Sequence, residues 1–234
     1  MNSDYIIKDN FLEISEFEKI KEITYSNNLN WTYHHDTVGA KSDDMSSFST
    51  NLEDIFEYSE CEQFVASIIN NSEVSIQNKF NATYFEKLVI AISLMLNKEI
   101  FIERIKINSN FYSNIKNSNK ILFSTPHIDI NNSFRENFTS LSAIFYLQNR
   151  NDGTILFNEK QSDIQEEKSF EGIQIRPSPN IFDILPSFLT KKEYITSVEN
   201  RLVVFPTNLF HSGCYSQSDT SRFIINLNFW VKND

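Results

Sequence analysis

A change of hydrophobic period near residue 100, strand-like runs of β-branched and aromatic residues beyond it, and helical spacing before it predict a mainly β fold with N-terminal helices. Eight antiparallel strands folded as a double-sheet jelly roll form a double-stranded β-helix, the cupin-like arrangement, whose open end can hold a metal between the sheets. The chain has 234 residues, enough for one substantial core, and β sandwiches and barrels of this length are commonly single domains. We therefore expect one domain over residues 1–234. Residues 1–100 would be a helical elaboration, and 101–231 the β-helix core, braced by those helices and carrying an insertion over 159–191.

In chain order, Ser15-Glu16-Phe17-Glu18 and Ser59-Glu60-Cys61-Glu62 both fit the capping box, in which a Ser side chain satisfies a free N–H of the first turn and the Glu reaches back. Each predicts a helix start. From Asn81 onward, Tyr84, Phe85, Leu88, Val89, Ile92, Met95 and Leu96 recur at helical spacing, which predicts a helix lying along a sheet with one broad face buried. Strands are expected near 101–112, 121–128, 140–147, 154–158, 193–198, 201–206, 209–214 and 222–231, separated by Asn, Ser and Asp clusters. Between Asn158 and Lys192 the charges Asp163, Glu166, Glu167 and Lys168 and the prolines Pro177, Pro179 and Pro186 read as an insertion. Its piece Ile181–Leu189 is too apolar to be wholly exposed, and is expected to fold over the barrel mouth or into a subunit contact.

Composition excludes several function classes. The only four glycines, Gly39, Gly153, Gly172 and Gly213, cannot write GxGxxG or GxxxxGK[ST], so the usual nucleotide cradles are ruled out. A formal charge of -10 argues against affinity for a nucleic-acid backbone, which comes from Lys and Arg displacing counterions. Cys61 and Cys214 give neither a disulfide framework nor a CxxC pair. The start MNSDYIIKDN has no charged region followed by an apolar run, and the most apolar stretch, Tyr84 to Leu96, is interrupted by Glu86 and Lys87. The expectation is a soluble, cytoplasmic protein with no membrane partner, whether monomeric or oligomeric.

The chemistry is carried by groups far apart in sequence: His127 and Asp129 in TPHID, His211 in LFHSG, and Arg222, with ten residues between it and His211. Residues two apart on a strand point the same way, so His127 and Asp129 would supply two cis ligands, and His211 a third from a strand adjacent in space. Two histidines and one carboxylate on one octahedral face leave three open positions and suit Fe(II). Two of those positions can chelate a 2-oxo acid and the third can take O₂. Arg222 would clamp the far carboxylate of 2-oxoglutarate through its planar guanidinium. Asn226 and Asn228 share the parity of Arg222 and would bond cosubstrate, metal-bound water or substrate. On the opposite assignment they face solvent while Ile225, Leu227, Phe229 and Val231 fill a core.

The pieces RIKINSNFY (104–112), TPHID (125–129), LSAIFYLQNRNDGTILF (141–157), NRLVVF (200–205), NLFHSG (208–213) and SRFIINLNFW (221–230) resemble, in order, the prolyl-hydroxylase-like group of Fe(II)/2-oxoglutarate-dependent dioxygenases, particularly the short forms from phage and bacteria. The N-terminal NWTYHHDTVG (30–39) resembles a segment of those short forms. By resemblance, His127, Asp129 and His211 would be the iron ligands and Arg222 the main 2-oxoglutarate anchor. Tyr146 would donate its hydroxyl to the same distal carboxylate, and Tyr112 would lie near the cosubstrate. The resemblance implies an enzyme that couples decarboxylation of 2-oxoglutarate by O₂ to hydroxylation of an unactivated C–H, with ascorbate as a reductant. The substrate would be a prolyl or other amino-acid residue in a peptide, or an amino-acid-like small molecule. Two departures stand out: Asp152-Gly153 replaces the family's glycine pair, and the stretch from Asn158 to Lys192 is longer than usual.

Competing readings are an inactive cupin-like binding module and oxidative demethylation of a nucleic-acid base; the intact triad opposes the first and the acidic balance the second. His34 and His35 read as surface residues in a polar loop, with a substrate-pocket role as the alternative. Cys214, three residues past His211, reads as a small apolar filler. Arg201 is expected to brace a strand or meet an acidic surface.

Overall fold

The computed structural model describes residues 5–34, 56–58, 62–111, 120–129, 136–160, 162, 189–215 and 221–233. In chain order these form β1 (Ile6–Lys8), α1 (Ile14–Tyr25), β2 (Thr32–His34), β3 (Phe56–Tyr58), β4 (Glu62–Asn70), β5 (Glu73–Val74), a 3₁₀ segment (Ile76–Phe85) and α2 (Glu86–Leu96). Beyond them lie β6 (Ile100–Phe111), β7 (Ile121–Phe123), β8 (Phe138–Tyr146), β9 (Gly153–Lys160), β10 (Lys191–Thr196), β11 (Arg201–Pro206), β12 (Leu209–Tyr215) and β13 (Arg222–Lys232). Each of the eight strands expected after residue 100 is present, β7 being shorter than expected.

The strands make two sheets. The major one runs β1-β11-β8-β13-β6-β4-β2, with β5 paired to β4; the minor one runs β10-β9-β12-β7-β3. From β6 to β13 the chain crosses between the sheets at every connection except the β9–β10 hairpin, as a jelly roll requires. Between the sheets pack Ile144, Tyr146, Val203, Phe205 and Ile224 from the major sheet and Leu156, Ile195 and Leu209 from the minor one. A larger apolar cluster covers the outer face of the major sheet, where Phe17, Ile20 and Ile23 of α1 and Leu88 and Ile92 of α2 meet Ile105, Ile107, Phe145, Ile225, Leu227 and Phe229. Fully burying such side chains contributes about 1.5–3 kcal/mol each. Strand β13 is therefore buried on both faces, which disposes of the assignment that turned Asn226 and Asn228 toward solvent.

Helix α1 forms where Ser15 predicted it, but Glu13 stands at its N-cap and makes no side-chain capping bond. What fixes it is the Phe17–Ile20–Ile23 stripe, with Phe17 edge-on to Phe145 at 5.9 Å between ring centroids. Helix α2 buries Leu88 and Ile92 as expected, but it begins at Glu86 rather than near Asn81, the preceding turn being 3₁₀ with Tyr84 exposed, and it ends at Asn97 in the left-handed region, φ 51°. The second capping box fails: Glu62–Asn70 form strand β4, not a helix, and Ser59 to Cys61 lie outside the described residues. Pairing with β6, in register from Glu62↔Phe111 to Ile69↔Ile105, satisfies the β4 backbone and outweighs the local cap signal. The 1–100 region is thus not purely helical, since β4 and β2 extend the major sheet. Among the described residues no helix is long and apolar enough to cross a membrane. The expected closure by 159–191 falls largely outside the described residues.

Candidate metal centre

Strand β12 and the segment following β7 lie side by side just past the β7 pairing. His127 and His211 form an antiparallel bridge, each backbone N–H donating to the other's carbonyl at 2.9 Å. The two imidazoles sit 4.5 Å apart between ring centroids. Two residues on, the Asp129 N–H donates to the Thr207 carbonyl at 3.2 Å, which turns its carboxylate back toward the pair, with Oδ2 3.7 Å from His211 Nε2. One ligand atom from each of His127, Asp129 and His211 lies within 4.8 Å of the others, so these atoms could hold one metal ion.

The surroundings fit a divalent metal. His127 Nδ1 lies 3.0 Å from the Thr125 carbonyl and His211 Nδ1 3.2 Å from that of Leu209. A carbonyl only accepts, so each Nδ1 carries the proton and each Nε2 keeps its lone pair for a metal. Burial, reinforced for His127 by its neighbour His211, pushes the His127 pKa down to about 3, and burial lowers that of His211 too. Both rings are therefore neutral at physiological pH. Burial alone would raise the Asp129 pKa, but its electrostatic interactions with His211, Arg104, Lys106 and His127 hold it below the ordinary carboxylate value, so Asp129 is ionised.

Arg104, whose part the sequence did not disclose, holds Asp129 in place. Its Nη2 donates to Asp129 Oδ1 at 3.1 Å, its Nε donates to Asn228 Oδ1 at 2.8 Å, and Asn228 Nδ2 donates to Ser142 Oγ at 3.0 Å. With Oδ1 engaged, Oδ2 is the oxygen turned to the histidines. Asn228 belongs to this relay rather than to the cavity, a departure from its expected contact with cosubstrate or substrate. The signal was legible: in FIERIKINSN, Arg104, Lys106, Asn108 and Asn110 alternate with Ile105 and Ile107 on a strand whose apolar face is already accounted for.

From His127 and His211 a cavity runs between the sheets. Its wall includes His127, His211, Arg222, Lys106, Asn108, Asn226 and Tyr215. Arg222 is 2% exposed and is gripped on three sides: Nη2 donates to the Gly153 carbonyl at 3.0 Å, Nε lies 3.4 Å from Asp152 Oδ1, and the guanidinium stacks 5.5 and 5.8 Å from the Tyr215 and Tyr146 rings. Arg150 pairs with the other Asp152 oxygen. Burial, the largest single influence, opposes the Arg222 charge, but Asp152 together with Tyr146, Tyr215 and Cys214 outweighs it and raises the pKa. Arg222 is thus a fixed, charged clamp facing the cavity. Gly153 is required there, because a Cβ would overlap the Ile195 carbonyl.

Tyr146 is fully buried and donates to Thr154 Oγ1 at 2.7 Å, and Arg222 Nη2 reaches the same Oγ1 at 3.5 Å. Burial raises the Tyr146 pKa to about 12, so it is a neutral donor. The cavity wall includes Thr154 and Asn226, while Tyr112 lies outside the described residues. His34 is exposed on β2, and His35 is not described. Cys214 packs with Phe123, Ile155 and Phe157 on the far side of the minor sheet, as a filler would. Arg201 pairs with Asp9 at the surface.

Comparison with known proteins identifies the family. Residues 115–230, which contain His127, Asp129, His211 and Arg222, match the 2OG-Fe(II) oxygenase superfamily. An oxidoreductase of the 2OG-Fe(II) oxygenase family from Burkholderia pseudomallei superposes with a TM-score of 0.56 at 11% identity, covering 99% of this chain and 86% of that one. The epimerase SnoN of nogalamycin biosynthesis, in complex with Fe3+, alpha ketoglutarate and nogalamycin RO, gives 0.54 at 8% identity, covering 99% and 82%. HygX from Streptomyces hygroscopicus, with nickel and 2-oxoglutarate bound, gives 0.50 at 8% identity, covering 97% and 82%. No curated protein is significantly similar in sequence. At these identities the superpositions speak for the double-stranded β-helix fold alone. The sequence match speaks for more: the chain belongs to the 2OG-Fe(II) oxygenase superfamily and is a 2-oxoglutarate-dependent dioxygenase, an enzyme that works with Fe(II) and O₂.

Proposed function

We propose that this enzyme hydroxylates an unactivated C–H bond of an amino-acid-like small molecule or of a prolyl or other amino-acid residue in a peptide. His127, Asp129 and His211 would hold Fe(II), and Arg222 the distal carboxylate of 2-oxoglutarate. The observation that carries this reading is a cluster of His127, Asp129 and His211 able to hold one metal ion, with both histidines on the wall of the same cavity as one buried, fixed arginine. The iron, when bound with 2-oxoglutarate and O₂, supplies the oxidising chemistry. The chain's own residues bind and orient. Nδ1–H bonds fix both imidazoles, Arg104 turns Asp129, and Asp152 with the Gly153 carbonyl sets the guanidinium plane. Tyr146 braces that clamp through Thr154, and Asn226 stands on the cavity wall where a substrate or cosubstrate group could bond it.

The test is anaerobic titration of the apo-protein with Fe(II) and 2-oxoglutarate, following the weak visible charge-transfer band of a chelated ferrous complex. A band in the wild type that is lost in Asp129→Ala is the expected outcome. A folded wild type with no band refutes the reading.

A further inference from the structure

The inward face of the β6–β13 pair carries a second cation for which the cosubstrate gives no role. In register, Arg104 stands opposite Asn228, Lys106 opposite Asn226, Asn108 opposite Ile224 and Asn110 opposite Arg222. Lys106 lines the cavity with both histidines and Arg222, and none of the described residues on that wall is a carboxylate. Among the described residues it has no hydrogen bond or ion pair. The nearby carboxylate, Asp129, is taken by Arg104 on one oxygen and faces the histidines with the other. In a chain of formal charge -10, a buried ammonium that makes no ion pair among the described residues, on the wall of a cavity, calls for an anion.

That anion is not the carboxylate at Arg222. Lys106 lies four residue positions from Asn110, the register partner of Arg222, which is about 13 Å of strand. Lys106 is instead next but one to Arg104, on the Asp129 side of the metal ligands. Two acceptors flank it. Asn226 Oδ1 and Asn108 Oδ1 are buried and have no hydrogen-bond partner. Buried acceptors of this kind are normally satisfied, so two beside a cavity mark where a donor binds. A cation adjacent to two amide oxygens is the complement of a carboxylate adjacent to an ammonium.

Building on the oxygenase reading, we propose that Lys106 is a specificity residue that binds the free carboxylate of an α-amino-acid substrate, while Asn226 and Asn108 accept from its ammonium group. The substrate is then a free amino acid, since a residue inside a peptide offers neither group.

The test uses full-length protein loaded with Fe(II) and 2-oxoglutarate. Succinate formation is measured with each of the proteinogenic L-amino acids, with its α-amide, and with the same residue inside an end-capped peptide. At least one free acid should stimulate turnover on the order of 10²-fold more efficiently than its amide or capped peptide. Lys106→Gln should collapse that preference to within about threefold and Lys106→Arg should restore part of it, while calorimetry with Mn(II) shows 2-oxoglutarate binding retained in both. Three results would each overturn the proposal while leaving the oxygenase reading intact: no stimulation by any free acid, equal use of acid and amide, or a Lys106→Gln protein that keeps the preference. Lost 2-oxoglutarate affinity in Lys106→Gln would also overturn it, reassigning Lys106 to the cosubstrate. A wild type that binds no 2-oxoglutarate at all would strike the oxygenase reading itself.

Discussion

Replacing Arg104 by lysine separates the orientation of Asp129 from its electrostatics, because the charge is conserved and the geometry is not. Arg104 serves two acceptors at once, Asp129 Oδ1 at 3.1 Å through Nη2 and Asn228 Oδ1 at 2.8 Å through Nε. An ammonium on a flexible stem can follow the carboxylate but cannot also brace against Asn228. The lost bond joins a charged donor to a fully buried amide, and such bonds contribute about 1.5–3 kcal/mol. Taking the lower figure, because lysine keeps part of the contact, and about 1.4 kcal/mol per decade, Arg104→Lys should weaken metal binding roughly tenfold. That agrees with the low end of the roughly 10- to 100-fold typical of groups that orient metal ligands. Mn(II) titration by calorimetry without 2-oxoglutarate measures it, with thermal unfolding as a check on the fold. Wild-type affinity in a folded Arg104→Lys protein would show that Asp129 needs no such brace. Unchanged affinity in Arg104→Met as well would remove Arg104 from the centre altogether.

Arg222→Gln should weaken 2-oxoglutarate binding on the order of 10²-fold, since one member of a buried charge pair is removed, and calorimetry on the Mn(II) form would detect it. An unchanged affinity would place the anchor elsewhere. The pH dependence of metal binding is also fixed in sign. Histidines of ordinary pKa, ~6.5, would each cost the metal roughly tenfold as pH falls from about 7.5 to about 5.5. Here burial keeps His127 neutral down to about pH 3 and lowers His211 as well, and Asp129 stays ionised across the range, so Mn(II) affinity should be nearly level. A steep loss between those pH values would contradict the buried, carbonyl-bonded imidazoles.

The part of this molecule most plainly written in its sequence is the part where local rules and tertiary structure agree. Strands β6 and β8 to β13 alternate β-branched and aromatic residues between Asn- and Ser-rich breaks, so their period survives folding. His127, Asp129, His211 and Arg222 could be singled out because the expected chemistry needs those residue types in that order, and the fold brings them to one region. Strand β4 was not. Its preceding Ser-x-x-Glu speaks only for a helix start, whereas its true partner, β6, begins thirty residues beyond its end, and no local pattern encodes such a pairing. The relay of Arg104, Asn228 and Ser142 depends on the register of β13 with β6 and β8, and Asp152 meets Arg222 from the far side of four intervening strands, β9 to β12. Sequence shows that these polar groups point inward. Only the register tells which of them meet.

The bridge between His127 and His211 has a thermodynamic consequence for the life of the metal. Two reciprocal backbone bonds already hold these residues together, and neither involves an imidazole. In small zinc modules the ligands are scattered until the ion gathers them, and metal affinity is then folding energy. Here the ligand-bearing segments are joined by backbone bonds that need no ion, so stripping the ion should leave a folded apoprotein, and reloading should be a simple reversible association. An enzyme that behaves so would tolerate intermittent iron supply, waiting assembled and resuming when the ion returns.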